Sequence, residues 1–252
     1  MKVTILQLDI VWGRPLENIR RAEHLMASAS GSDLYVLPEM WATGFATEPT
    51  GIAESEISSV ALQWMRSTAM ARHCAIAGSL AVQTSDGCFR NRHFFINGRN
   101  QNELYYDKYN LFHYGGEDRF YTAGEQNVIV EYEGIRFLLV TCFDMRFPEW
   151  VRYNEQKKYD AIICVANWPE SRQNAWQILT RARAIENQAF LIGCNRVGDD
   201  SYSHYKGLSA VISPIGRTVV SCLANIEQAV SAEIDIERVR QLRRKFKVLP
   251  GF

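Results

Sequence analysis

Three apolar segments of strand length share one form, running continuously hydrophobic and then stopping on a polar or reactive group. They are LYVLPE, ending at Glu39, FLLVTC, ending at Cys142, and IICVAN, ending at Asn167. A strand that is apolar on both faces must be covered on both, as parallel strands inside an α/β fold are. Pockets in such folds form outside the carboxyl ends of the strands. Three such ends would gather Glu39, Cys142 and Asn167 at one mouth.

Around these segments, helical and strand periods alternate. Residues 2–10 read as a first strand. Residues 15–29 place Ile19, Ala22, Leu25, Met26 and Ala29 on one helical face. A second helix is expected over 58–74, followed by strands over 75–82, 89–98 and 102–110. Residues 127–142 read as a hairpin turning at Glu133–Gly134. A helix opened by Pro148 is expected over 147–159, and a longer one over 170–188 with Trp176, Leu179, Ala182, Ile185 and Ala189 inward. Strands over 189–198, 206–214 and 229–235 and a basic helix over 236–246 complete the pattern. The strand–helix–strand units near 3–38 and 137–166 imply parallel pairing. There are too many strands for one flavodoxin-like sheet, so the expected fold is α/β with two stacked sheets and helices outside. With 252 residues, 47% of them hydrophobic, and no linker or low-complexity tract, a single domain over 1–252 is expected.

Composition narrows the partners. The chain carries 28 basic and 28 acidic residues, so no field recommends a nucleic acid or an anionic membrane. No apolar run approaches the roughly 20 residues of a membrane span, and the amino-terminal segment reads as a strand, not a signal peptide. Six cysteines (74, 88, 142, 164, 194 and 222) lack a CxxC pair or a regular spacing. The expectation is a reduced, cytoplasmic protein in which most of them are small core residues. Five histidines show no metal-ligand spacing.

A fourth polar cluster, YYDKYNLF, sets Lys108 after another strand. Taken singly, Cys142 reads as a core thiol, Glu39 as a surface or helix-start carboxylate, and Lys108 as a solvated charge. Converging on one cleft, they would suffice for covalent acyl transfer, with a carboxylate base, a thiolate nucleophile and an ammonium for the oxyanion. The strand-to-helix elbow at Cys142 should also favour the thiolate, because helix amino-terminal N–H groups lower a cysteine pKa.

Four segments resemble the signatures of the nitrilase-like carbon–nitrogen hydrolases in order and spacing. They are PEM at 38–40, DKYNLF at 107–112, CFDMRFPE at 142–149, and the stretch from ANWPESR to CNRVG at 166–198. The resemblance covers nearly the whole chain. It implies a four-layer α-β-β-α sandwich, a homodimer of eight layers, and a Glu39–Lys108–Cys142 triad that needs neither metal nor cofactor. It further implies an oxyanion site at the Phe143 N–H and Lys108, and a second glutamate on the lysine. Glu117 is the best candidate for that glutamate, while Glu125 reads as part of a turn.

The segments CFDMRFPE and ANWPESR resemble the ω-amidase branch, which hydrolyses the terminal amide of 2-oxoglutaramate and 2-oxosuccinamate through a cysteine thioester. Such a small-molecule substrate carries a free carboxylate, for which Arg146 and Arg172 are candidate partners. Arg146 has a second reading, as a structural ion-pair partner of Asp144 or Glu149. Phe143, Trp168 and Asn167 are expected to wall the pocket, with Tyr109 or His113 lining it. Two other functions stay open: hydrolysis of another small amide, N-carbamoyl compound or nitrile, and a non-catalytic interaction scaffold.

Overall fold

The computed structural model describes residues 1–250. Gly251 and Phe252, at the end of the expected domain, lie outside the described residues. The first half of the chain forms β1 (Lys2–Gln7), α1 (Pro15–Ser28), β2 (Leu34–Val36), β3 (Glu54–Ser55), α2 (Val60–Arg72), β4 (Ala75–Gln83), β5 (Phe89–Asn97) and β6 (Asn102–Asp107). The second half forms β7 (Val128–Tyr132), β8 (Ile135–Thr141), α3 (Pro148–Val151), β9 (Ala161–Ala166), α4 (Gln173–Glu186), β10 (Phe190–Asn195), β11 (Val197–Asp199), β12 (His204–Lys206), β13 (Ala210–Ile212) and β14 (Thr218–Ser221). β15 (Gln228–Glu233) then returns to the first sheet, and α5 (Ile236–Lys245) ends the described elements.

One sheet has the order β15-β1-β2-β4-β5-β6, with β3 beside β4; the other has the order β14-β13-β10-β9-β8-β7. In each, the strands that alternate with helices pair in parallel, β2 with both β1 and β4, and β9 with both β8 and β10. Antiparallel strands flank them.

The period of two along each strand divides the core into layers. Val3, Ile5, Ala75, Ala77 and Phe95 of the first sheet meet Phe137, Leu139, Ile163, Val165 and Ile192 of the second. Outward, Leu6, Ile76 and Phe94 pack under α1 and α2, and Leu138, Ile162 and Cys164 pack with Trp176 and Ala184 of α4. The result is a four-layer α-β-β-α sandwich. The six cysteines are free, and among the described residues no helix is long and apolar enough to cross a membrane.

Four features differ from the sequence expectations. The helix expected over 147–159 stops after α3. Asn154 Oδ1 accepts the N–H groups of Gln156 and Lys157, an Asx-type turn that competes with helix. α4 turns a more polar face inward than expected. Trp176, Thr180, Arg183 and Ala184 are buried, whereas Ile185 is 51% exposed. Arg183 is drawn in because its Nε and Nη2 donate to Met145 O at 3.1 and 2.7 Å. The strand expected over 206–214 breaks where Gly207 and Leu208 both take positive φ. The strand expected over 189–198 divides after Asn195, and the β11–β12 hairpin leaves the sheet.

His93, on the inner face of β5, is fully buried, with Nδ1 3.2 Å from Val140 O. Burial holds its pKa at about 3, far below the ordinary 6.5. The unfolded chain therefore binds a proton below about pH 6.5 that the folded protein refuses until about pH 3. Its contribution is complete above that window and is lost by up to about 1.4 kcal/mol per unit as the pH falls through it. Denaturant unfolding of His93→Gln at a series of pH values is expected to show a shallower acid slope than the parent. An unchanged slope would refute the assignment.

Candidate active site

The sandwich delivers several strand ends to one place. β2 runs out through Leu37 and Pro38 to Glu39, and the next residue, Met40, has φ 42°. β8 runs straight into Cys142, whose φ of 45° marks a tight elbow before the short helical turn Cys142–Arg146. A non-glycine residue in this region is costly to hold and persists only where its surroundings fix it. Asp144 does so. Its buried carboxylate accepts the Thr141 N–H at 2.9 Å, Tyr106 OH at 2.8 Å, and the Asn110 N–H and Nδ2 at 3.0 and 2.9 Å. This ties the elbow to the loop after β6.

That loop begins at Lys108, whose N–H donates to Asn91 O and whose carbonyl accepts from Gly124 N. A Cβ at Gly124 would lie 2.1 Å from Asp107 O, so only glycine lets the returning loop pass this close. The Lys108 ammonium donates to Glu39 Oε1 at 2.9 Å and to Glu117 Oε2 at 2.8 Å. All three side chains are fully buried. Two of its three N–H bonds are thereby committed to carboxylates. Glu39 Oε2 accepts the Asn167 N–H at 2.9 Å, while Asn167 Nδ2 donates to Glu39 O at 2.7 Å.

The electrostatics follow from this packing. Burial works against the Lys108 charge, but the carboxylates of Glu117 and Glu39 override it and hold the pKa above the ordinary lysine value. Cys142 moves the other way to the sequence expectation. Burial and then the Glu39 carboxylate push its thiol well up, outweighing Lys108 and the Asn167 N–H. The five-residue turn at the elbow is too short a dipole to compensate. The raised pKa favours the neutral thiol, with the Glu39 carboxylate near it.

In front of Cys142 opens a cleft of about 610 Å³. Phe143, Arg146, Asn167, Trp168 and Arg172 line it. Arg146 lies 4.9 Å over the Trp168 ring, and Arg172 lies 5.2 and 5.7 Å from the Phe112 and Tyr114 rings. Among the described residues neither guanidinium has a carboxylate partner. The Asp144 pairing weighed for Arg146 is not formed, because Asp144 is spent on the elbow.

Tyr109 stands elsewhere, stacked on Trp150 at 3.8 Å and 9°. Its N–H is held by Tyr106 OH, which turns its ring away from the cleft. His113 pairs with Asp118 at 3.1 Å and lines no part of the cleft. Residues that sequence reasoning missed include Phe45, Asp200 and Tyr205 on the wall and Asn91 and Ser79 behind it. The Asp200 carboxylate is occupied by Tyr205 OH at 2.7 Å and the N–H groups of Tyr202 and Ser203. The clue to Asn91 was available: it shares the inner strand face of His93 and Phe95, where an amide needs a partner. Among the described residues no group of His, Cys, Asp and Glu could hold a metal ion.

A family profile described as carbon–nitrogen hydrolase matches residues 2–244. The chain is 40% identical over 247 residues to the omega-amidase YafV of Escherichia coli (strain K12), covering 98% of this chain and 94% of that protein. It is 34% identical over 252 residues to the 2-oxoglutaramate amidase of Bacillus subtilis (strain 168), covering 98% and 96%. Among solved structures, XC1258 from Xanthomonas campestris, a CN-hydrolase superfamily protein with an arsenic adduct in its active site, superposes with a TM-score of 0.92. It is 34% identical, with 98% of this chain and 95% of that one covered.

Proposed function

The chain belongs to the carbon–nitrogen hydrolase family and is an amidohydrolase of non-peptide bonds; from that premise we propose that it hydrolyses the terminal amide of a small ω-amide acid such as 2-oxoglutaramate or 2-oxosuccinamate. The observation that carries the substrate class is the pair of guanidiniums at Arg146 and Arg172, held in the cleft by aromatic rings. Stacking fixes each cation but leaves its N–H edge free for a bidentate carboxylate. Two cations against one fully occupied carboxylate, Asp200, favour an anionic substrate. The names of the two curated relatives point the same way.

The proposed chemistry proceeds through a thioester. Glu39 takes the Cys142 proton as the sulfur attacks the amide carbon. The tetrahedral oxyanion is met by the Phe143 N–H and by the third N–H of Lys108. Protonated Glu39 passes its proton to the amide nitrogen, the C–N bond breaks, and ammonia leaves. Glu39 then draws a proton from water, whose oxygen attacks the thioester and releases the dicarboxylate and the thiol. Glu117 holds Lys108 from the far side, so the ammonium stays charged and in place through both half-reactions.

A panel of acidic and neutral amides, an N-carbamoyl amino acid and a nitrile, assayed by ammonia release, tests the substrate class. Arg146→Ala and Arg172→Ala are each expected to raise KM for acidic amides by about 10- to 100-fold, since a hydrogen bond to a charged group contributes about 1.5–3 kcal/mol. Neutral amides should be affected little. Equal effects on both substrate types would reject the carboxylate clamp.

A further inference from the structure

Asn91 has no part in the chemistry above, yet its buried amide lies at the centre of the charged cluster. Its Nδ2 donates to Glu39 Oε1 at 2.8 Å and to Glu117 Oε1 at 2.9 Å. Its Oδ1 accepts from Ser79 Oγ at 2.9 Å, and that hydroxyl in turn accepts the Met40 N–H at 2.9 Å. The serine proton is thereby left for Asn91, and the polarity of the amide is set from outside the cluster. Both amide hydrogens face carboxylates.

The need for such a group follows from the charges. Two buried carboxylates share one ammonium, and Lys108 reaches one oxygen of each. Asn91 forms a second rung between the same two residues and adds no charge. An aspartate there would add a third buried anion, and an apolar residue would leave two carboxylate oxygens short of a donor. The other titratable groups whose fields reach the pair are Cys142, Cys164 and Tyr121. The Tyr121 hydroxyl donates to Ala46 O at 2.6 Å.

We propose that Asn91 is a positioning residue for the hydrolytic reaction: a neutral double donor, oriented by Ser79, that bridges the two glutamates and holds Glu39 as acceptor for the Cys142 proton. This deepens the reading of the previous section and rests on Glu39 being the base. A carboxylate that loses a donor to its ionised form keeps its proton to higher pH. The readout is therefore the acid limb of the pH profile of kcat/KM, which a purely structural role would leave in place.

Profiles on 2-oxoglutaramate are compared for the parent, Asn91→Leu and Ser79→Ala. In Asn91→Leu, kcat is expected to fall on the order of 10²-fold with KM changed by less than about threefold. Its acid limb should move up by about one pH unit. Ser79→Ala, which frees the amide to turn over, should move it in the same direction by less. An acid limb unmoved in both variants, with rates lowered equally at every pH, overturns the proposal. If Asn91→Leu does not fold, an unmoved limb in Ser79→Ala is sufficient to overturn it. Glu39→Gln, measured in parallel, separates the two layers. Near-parental turnover by that variant would refute the base itself, whereas its inactivity beside unmoved limbs would sink Asn91 alone.

Discussion

Replacing Cys142 with alanine is expected to lower amide turnover on the order of 10⁵-fold or more while leaving the fold intact. Without the sulfur no thioester forms, and the remaining groups can only polarise the substrate for direct attack by water. The structural cost should be small. Cys142 already holds φ 45°, alanine has the same Cβ, and Asp144 supports the elbow without help from the thiol. Stability should change by about 1 kcal/mol or less. Denaturant unfolding and ammonia release on one preparation check both halves. Retained turnover of every amide tried would remove Cys142 from the reaction, whereas loss of activity together with the fold would leave its role undecided and call for Cys142→Ser.

Lys108→Met should have the largest combined effect. The ammonium is fully buried between Glu39 and Glu117, and a thioether of similar length fills its space without its charge. Removing one partner from a buried ionic cluster leaves uncompensated charge and costs about 3–5 kcal/mol. The loss of an oxyanion donor lowers kcat by about 10²–10³-fold, and the displaced Glu39 adds to that. The sign of the pH dependence is distinctive. Two carboxylates without a cation take up a proton on folding, so the variant's stability deficit should shrink as the pH falls. Unfolding curves at neutral and mildly acid pH test this. A deficit that is constant or grows on acidification would mean that the lysine is not the charge balancing the glutamates.

Much of the framework was legible in the residue pattern. Runs apolar on both faces announced the inner strands, and their polar stops at Glu39, Cys142 and Asn167 marked the mouth the structure builds. α1, α2 and α5 form within the segments where the sequence pattern leads one to expect helices. What escaped has a common physical source, namely polar groups that compete with local pattern. Asn154 ends α3 by capturing its own following N–H groups. Arg183 rotates α4 by reaching Met145 O, which leaves Ile185 outward.

Within the site, Tyr109 sits one residue from Lys108, but its N–H is taken by Tyr106 OH and its ring by Trp150. Arg146 had two readings in sequence. Only the three-dimensional commitment of Asp144 to four donors, from Thr141, Tyr106 and Asn110, removes the pairing with that residue. Asn91 and Ser79 belong to neighbouring antiparallel strands, and their meeting with Glu39 depends on the register of β4 against β5, which a single sequence does not print.

The most direct test of the account is the covalent state of Cys142 during turnover. The enzyme is mixed with saturating 2-oxoglutaramate, quenched in acid before and during the steady state, digested, and analysed by mass. The peptide containing Cys142 is expected to gain the mass of the substrate less ammonia, and to lose it as substrate is exhausted. Ammonia released with no such mass on that peptide, or with the acyl group on another residue, would contradict the thioester mechanism proposed for this cleft.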